Sequence, residues 1–159
     1  IMFFVIKFIG QRTIVIGDSM NPTLHEDENL ITDKITYRFK EPKRFDIIVF
    51  PYKDNTSKLL IKRIIGMPGE TLQIKDGYVY IDGEKLTSDI YGNELIEDPQ
   101  TAEDPVTLGE DEYFVMGDNR NHSMDSRDPS VGVLKKSDLM GRAWVRIYPF
   151  NNVGVIRHE

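Results

Sequence analysis

The sequence predicts a mostly β protein, an antiparallel β-sheet domain interrupted by a small β or irregular subdomain. Short runs rich in β-branched and aromatic residues recur along the chain, separated by glycine, proline and aspartate. Asp76 and Gly77 lie between two such runs and Asp82 and Gly83 follow the second, and Asp-Gly pairs favour tight hairpin turns. No long segment has the apolar period of an amphipathic helix. These patterns together predict antiparallel strands joined by short turns.

Each strand is predicted from a short apolar or alternating run. In chain order the predicted strands are residues 13–16, 29–32, 45–50, 58–65, 71–74, 78–81, 112–116 and 142–148. Pro51 is expected to end the third strand because proline has no N–H for a sheet ladder. Pro68 and Gly69 fit a type II turn, in which glycine supplies the positive φ. Residues 135–140 predict a single helical turn.

Composition divides the chain into three parts. Residues 1–12 begin with an apolar run too short to span a bilayer, which takes about 20 residues. This run predicts the remnant of a membrane anchor or an interfacial strand, with a buried N-terminal strand as the alternative. Residues 88–111 are acidic and lack a clear period, which predicts a short insertion, with disorder as the alternative. Residues 13–87 and 112–159 are expected to form the main β domain, which carries the catalytic candidates.

Composition also excludes several classes of function. The 159 residues carry a net charge of −6 and no basic block, which argues against a nucleic-acid partner. The chain has no cysteine, so thiol catalysis, disulfides and thiolate metal sites are excluded. The three histidines are scattered and the carboxylates lack a metal-site spacing, so neither a metal nor another cofactor is predicted.

Ser19 and Lys62 are the candidate nucleophile and base. A serine hydroxyl needs a base to attack, and no histidine is obviously placed for that task. Lys62 lies among aliphatic residues, and burial can lower the pKa of a lysine by the roughly 3 units that a general base at neutral pH requires. Gly17 would let the backbone approach a substrate closely. Taken alone, Ser19 as a turn cap and Lys62 as a surface lysine remain open alternatives.

A third segment, residues 117–127, places polar groups between two apolar stretches. In it, Asp125 could lie between the guanidiniums of Arg63 and Arg127 and so brace the strand that carries Lys62. The hydroxyl of Ser123 could hold the lysine amine by a hydrogen bond.

These three segments resemble, in order, the conserved boxes of type I signal peptidases, which are membrane-bound Ser-Lys enzymes that remove signal peptides. The first box is Ser19-Met20-Asn21-Pro22-Thr23-Leu24, the second covers residues 62–69 and the third covers residues 117–127. The resemblance implies Ser19 as nucleophile and Lys62 as general base. It implies that Ser123 orients the lysine, and it assigns structural support to Asp125, Arg127 and Arg63.

The resemblance further implies an extended substrate strand with small residues at positions −1 and −3, as in Ala-x-Ala sites. Met20, Leu24 and Ile61 are the candidates to line the pockets for those residues, with Gly17 beside them. The implied partners are signal peptides of exported preproteins and the membrane surface. The implied location is the outer face of the plasma membrane. The short insertion is more similar to Gram-positive members, and the oligomeric state is left undetermined.

The sequence departs from the family pattern at two positions. Some members carry a serine as oxyanion donor where this chain has Gly17, and many carry tyrosine where it has Leu60. Neither departure affects the Ser-Lys pair.

Three alternatives compete with this resemblance. A GDS-type esterase would match Gly17-Asp18-Ser19, but it needs an Asp-x-x-His, and Val155 lies three residues before His158. A LexA-like self-cleaving protein would carry a DNA-binding helical domain. No such segment is predicted in this sequence, and its full third box favours the peptidase. A non-catalytic homologue that presents export or pilus substrates would be expected to lose the serine or the lysine, and this chain keeps both.

Overall fold

The computed structural model describes residues 9–158 and confirms the predicted mostly β, antiparallel fold. Residues 1–8 of the predicted apolar segment 1–12 lie outside the described residues. The described strands are β1 (Gly10–Ile14), β2 (Asn29–Asp33), β3 (Ile47–Tyr52), β4 (Asn55–Gly66), β5 (Thr71–Lys75), β6 (Tyr78–Ile81), β7 (Glu84–Lys85), β8 (Val106–Thr107), β9 (Glu112–Met116), β10 (Leu134–Lys135), β11 (Gly141–Tyr148) and β12 (Gly154–Val155). A short helix, α1 (Thr36–Phe39), follows β2. Single turns of 3-10 helix cover Gln100–Glu103, Lys136–Asp138 and Phe150–Asn152.

The main sheet has the strand order β1-β2-β11-β3-β4-β9-β10, with β12 paired to β11. Its central strands are buried on both faces. Ile47 and Val49 of β3 pack into one core cluster, whereas Ile48 and Phe50 pack into another. Successive side chains of a strand point to opposite faces, so strands covered on both sides are continuous apolar runs. Strand β4 pairs with β3, and this pairing places Lys62 opposite Ile48 in the interior.

A second sheet has the strand order β7-β6-β5-β8. The predicted insertion, residues 88–111, contributes only β8 to it, and Thr71 of β5 pairs with Thr107. The second sheet therefore begins before residue 88, within the range assigned to the main domain. Alternation and Asp-Gly turns predict the β5–β7 meander correctly, but they carry no information about which sheet a hairpin joins.

The structure places the ends of β3 and β1 differently from the prediction. Strand β3 continues through Pro51, which pairs with Leu59 of β4. The prediction that Pro51 ends the strand was wrong because β11 pairs with β3 only at Ile48 and Val49. At Pro51 the strand has one described partner, so the missing N–H interrupts no second ladder. Strand β1 ends at Ile14, earlier than predicted.

His158 ties the end of the described chain to the main sheet. Its Nδ1 accepts a hydrogen bond of 2.6 Å from the Ile47 N–H, and its Nε2 lies 2.6 Å from the Ala143 carbonyl oxygen. This pair of bonds requires the neutral ring, with the proton on Nε2. Burial lowers the pKa of His158 to about 4, and the Arg142 charge acts in the same direction. Both ring nitrogens are thus engaged with backbone, which gives this histidine a structural role.

Candidate active site

Ser19 and Lys62 meet in the structure, although they are 43 residues apart in the chain. Lys62 Nζ lies 2.8 Å from Ser19 Oγ. Ser19 belongs to the turn that follows β1, and Lys62 belongs to the buried half of β4. Lys62 Nζ also donates a hydrogen bond of 3.1 Å to the Ile61 carbonyl oxygen. When the amine is neutral, its lone pair can accept the proton of the serine hydroxyl.

The lysine side chain is suited to act as a base because it is buried, with only 3% of its surface exposed. Burial disfavours the charged amine and lowers the pKa of Lys62 from its ordinary 10.5 to about 8. The Asp125 carboxylate opposes this shift, whereas the positive charges of Lys58 and Arg127 reinforce it. An appreciable fraction of Lys62 is therefore neutral in mildly alkaline solution.

Asp125 and Arg127 form a buried, two-pronged ion pair. Arg127 Nε donates to Asp125 Oδ1 at 2.8 Å, and its Nη2 donates to Oδ2 at 2.9 Å. The Gly117 N–H also donates to Asp125 Oδ2, at 3.0 Å. These bonds close the loop of the third segment on itself, beside Lys62.

Arg63 pairs with Asp118, which corrects the predicted arrangement of Asp125 between two guanidiniums. Arg63 Nε and Nη2 donate to the two Asp118 oxygens at 2.8 and 2.7 Å. Its guanidinium carbon also lies 3.7 Å from the centre of the Tyr91 ring. Arg63 and Lys62 are strand neighbours and point to opposite faces of β4, so only one of them can reach the side of Asp125.

Asp118 also reaches the first segment, since Thr23 Oγ1 donates to Asp118 Oδ2 at 2.5 Å. One carboxylate thus links the strand that carries Lys62 to the segment that carries Ser19. Sequence patterns do not single out Asp118, nor its neighbour Asn119. The only signal for either is its place inside the third segment.

Contrary to the prediction, the Ser123 hydroxyl makes no hydrogen bond to the amine of Lys62. This hydroxyl is buried and has no hydrogen-bond partner among the described residues. It lies instead beside Gly117, where an added Cβ would clash both with Ser123 Oγ and with the Ser19 carbonyl oxygen. Glycine at position 117 therefore allows the third segment to pack directly against the serine turn.

A cleft of about 250 Å³ opens onto Ser19 and Lys62. Its walls are residues 14–20 and 58–62, together with Met124. Gly17, Met20 and Ile61 lie on these walls as predicted candidates. Leu24 does not, because the turn after Ser19 carries it into the core, where it is fully buried. Met124 belongs to no sequence pattern, and its position between Ser123 and Asp125 is the only signal for it.

Within residues 9–158, no cluster of three or more histidine, cysteine, aspartate or glutamate side chains is arranged to hold a metal ion. Nor does this part of the chain contain a helix with the length and apolar character needed to cross a bilayer.

Comparisons with known proteins place the chain in a family. A family model described as signal peptidase, peptidase S26, matches residues 1–148. The chain is 37% identical over 157 residues to a probable signal peptidase I-2 of Synechocystis, an alignment that covers 96% of this chain and 69% of that relative. It is 38% identical over 156 residues to a signal peptidase I of Bacillus licheniformis, with 92% and 81% coverage.

A solved structure agrees. The crystal structure of a signal peptidase I from Enterococcus faecalis is 36% identical to this chain, with a TM-score of 0.53. The superposition covers 65% of this chain and 97% of that one.

The fold and the comparisons define a serine endopeptidase of mostly β architecture. The chain belongs to the signal peptidase I family, peptidase S26, whose members are serine peptidases that remove signal peptides. The resemblance carried by the three sequence segments is thereby confirmed.

Proposed function

We propose that this chain cleaves signal peptides from exported preproteins after Ala-x-Ala sites, with Ser19 as nucleophile and Lys62 as general base. The observation that carries the proposal is the 2.8 Å contact between Ser19 Oγ and the buried amine of Lys62. A nucleophilic serine requires an adjacent base, and a lysine with a lowered pKa meets that requirement. Arginine could not replace it because a guanidinium keeps its proton.

The reaction proceeds in two stages. Lys62 Nζ takes the proton of Ser19 Oγ as the oxygen attacks the scissile carbonyl carbon, and the Ser19 N–H stabilises the resulting oxyanion. The intermediate collapses when the protonated lysine gives its proton to the leaving amine, which releases the mature protein. Water then attacks the acyl-serine ester with Lys62 again as base. This second stage frees the signal peptide as a carboxylic acid and restores the hydroxyl of Ser19.

The cleft supports a preference for small side chains next to the scissile bond. Its walls beside Ser19 carry the apolar side chains of Met20 and Ile61, and its volume is modest. One wall, residues 58–62, belongs to strand β4, so a substrate in extended conformation can lie along it and bond to backbone. Alanine at positions −1 and −3 fits such shallow, apolar surroundings.

The experiment is cleavage of a lipid-presented peptide that carries an Ala-x-Ala signal site. Wild type should cut after the second alanine, and Ser19→Ala should lower kcat/KM by at least about 1,000-fold because the nucleophile is lost. Ser57→Ala, which alters an exposed serine of β4, serves as the control and should cleave normally. Equal cleavage by Ser19→Ala would refute the mechanism. Binding of the peptide without cleavage by wild type would instead favour a substrate-presenting homologue.

The proposal includes docking of this domain on the outer surface of the plasma membrane. Support comes from exposed apolar side chains on β11, on β12 and between them. They are Trp144, Tyr148, Phe150, Val153 and Val155. Tryptophan and tyrosine favour the membrane–water interface because one end of each ring system is apolar and the other polar. Strand β2 alone separates β11 from β1, the strand that follows the apolar residues 1–9.

Trp144 reports on this docking directly because it is the only tryptophan in the chain. Its fluorescence emission should shift to shorter wavelength when phosphatidylcholine vesicles are added, since the exposed indole leaves water. Phe150→Ser should weaken the response to lipid. Ile90→Ser removes a similarly exposed apolar side chain outside β11, β12 and the segment between them, and it should leave the response unchanged. An emission maximum that stays constant up to high lipid concentration would contradict docking through this surface.

A further inference from the structure

One buried residue of the third segment, Asn119, bonds to the backbone of the serine turn through both its main chain and its side chain. The Asn119 N–H donates to the Ser19 carbonyl oxygen at 3.0 Å, and Asn119 Nδ2 donates to the Asp18 carbonyl oxygen at 3.0 Å. Asn119 has 6% of its surface exposed. The carbonyls of two successive residues, Asp18 and Ser19, therefore both accept from Asn119, and the Asp18 carbonyl oxygen also accepts the Asn21 N–H at 3.0 Å within the turn.

The bond to Asp18 has a consequence for the oxyanion donor. The Asp18 C=O and the Ser19 N–H belong to one planar peptide unit, in which they point in opposite directions. Fixing the direction of the carbonyl thus fixes the direction of the N–H. A hydrogen bond accepted by the carbonyl also polarises the N–H and makes it a stronger donor.

The orientation of the Asn119 amide depends in turn on Asn93, which lies in the segment 88–111. Asn93 Nδ2 donates to Asn119 Oδ1 at 2.8 Å, so that Asn119 Nδ2 is the group left facing Asp18. An amide has nearly the same shape at its two ends, and its neighbours decide which end faces which way. Asn93 is itself oriented because the Arg120 N–H donates to Asn93 Oδ1 at 3.0 Å.

The segment around Asn93 is anchored independently of this relay. Arg120 Nη1 and Nη2 donate to the two carboxylate oxygens of Asp89 at 2.7 and 2.9 Å, and both side chains are largely buried. The Asn93 N–H also donates to the Asp118 carbonyl oxygen at 3.2 Å. Asn93 thus has a fixed place from which to act on Asn119, although its own surface is exposed.

We propose that Asn93 is a positioning residue that, through Asn119, sets the direction of the Ser19 N–H toward the oxyanion. The inference rests on the proposed function, because that function gives the Ser19 N–H its catalytic task. It assigns a role to segment 88–111, which the sequence alone marks only as an insertion. Asn93 acts through the relay and contacts neither Ser19 nor Lys62.

The test replaces Asn93 with aspartate. The carboxylate of Asn93→Asp still accepts the Arg120 N–H but has no hydrogen to donate, so the Asn119 amide is expected to turn over. The amide oxygen of Asn119 would then face the Asp18 carbonyl oxygen, and the hydrogen bond between the two residues would be lost. We expect kcat to fall about 10- to 100-fold, a part of what removing a whole oxyanion donor costs. KM should change little, because the walls of the cleft are untouched.

Asn121→Asp is the matched control, since it removes a similar bond on the same loop. Asn121 Nδ2 donates to the Leu95 carbonyl oxygen and its Oδ1 accepts the Glu97 N–H, each at 2.9 Å, but neither bond reaches the serine turn. This variant should keep the wild-type kcat. Asn93→Ala, which removes the donor without adding an acceptor for Asn119 Nδ2, should lose less kcat than Asn93→Asp. Thermal melting monitored by circular dichroism verifies that each variant is folded.

Two kinetic results would overturn the inference: wild-type kcat in both Asn93 variants, or an equal loss in Asn121→Asp. The amide resonance of Ser19, measured by NMR, decides the matter independently of activity. Its chemical shift should change in Asn93→Asp and stay the same in Asn121→Asp. A chemical shift that is unchanged in Asn93→Asp would also overturn the inference. Failure of the proposed function is distinct, because wild type itself would then show no cleavage that depends on Ser19.

Discussion

Replacing Lys62 with methionine should abolish cleavage and at the same time make the folded protein more stable. Methionine is close to lysine in length and suits the apolar surroundings of β4, but it has no lone pair that takes the Ser19 proton. Loss of the base should lower kcat/KM by at least about 1,000-fold. Lys62→Arg should be equally inactive, because arginine keeps its proton at every accessible pH.

The gain in stability follows from the lowered pKa. Between pH 8 and 10.5 the folded protein binds fewer protons than the unfolded chain, so the contribution of Lys62 to stability rises with pH in that window. Below pH 8 the buried charge destabilises the fold by roughly 3 kcal/mol, since each pKa unit corresponds to about 1.4 kcal/mol. The stability that Lys62→Met gains over wild type should therefore be largest at pH 7 and progressively smaller toward pH 10.5.

Urea denaturation at pH 7 and at pH 10 measures this difference. Lys58→Met is the control, because Lys58 lies four residues earlier on the same strand and is exposed. The control should show no comparable stabilisation. A Lys62→Met protein less stable than wild type at pH 7, or one that still cleaves, would contradict the account.

Replacing Asp118 with alanine should destabilise the protein by about 3–5 kcal/mol, because it leaves a buried guanidinium without its partner. Arg63 has none of its surface exposed, and both of its bonds to a carboxylate go to Asp118. The same change removes the acceptor of the Thr23 hydroxyl. Activity should fall as well, since Asp118 joins the segment of Ser19 to the strand of Lys62. Thermal and urea unfolding measure the loss.

The double variant Asp118→Ala with Arg63→Met tests whether the unpaired guanidinium of Arg63 causes the loss of stability. It removes both charges, so it should recover much of the stability that the single variant loses. Glu41→Ala breaks an ion pair with Lys136 in which the carboxylate is mostly exposed, and it should have little effect on unfolding. A single Asp118→Ala variant as stable as wild type would show that Arg63 is satisfied in some other way.

Much of the fold could be predicted from the sequence, because strand alternation and turn chemistry are local signals. The run from 58 to 65 is a strand in the structure, and the Asp76-Gly77 and Asp82-Gly83 turns join β5, β6 and β7 as expected. The composition of the two sheets could not be predicted. It depends on which apolar faces pack together, and the Thr71–Thr107 pairing that joins β5 to β8 spans 36 residues.

In the site, too, local sequence signals predict the residues, whereas their contacts depend on the fold. Ser19 and Lys62 could be named from residue type, surroundings and the three segments, whereas their contact depends on how the turn after β1 folds over β4. Asp118 and Asp125 are two carboxylates of one loop, and the sequence does not decide which of them meets Arg63. The alternation of side chains along β4 decides it, together with the path of the loop.

The most direct test of the Ser19–Lys62 mechanism is the pH dependence of kcat/KM for a signal-peptide substrate between pH 6 and 10. The neutral amine is the active form of Lys62, and its pKa is about 8. The rate constant should therefore rise about tenfold per pH unit below pH 8 and level off above it. A profile that is flat from pH 6 to 9 would contradict a general base of this pKa, and the role assigned to Lys62 would have to be abandoned.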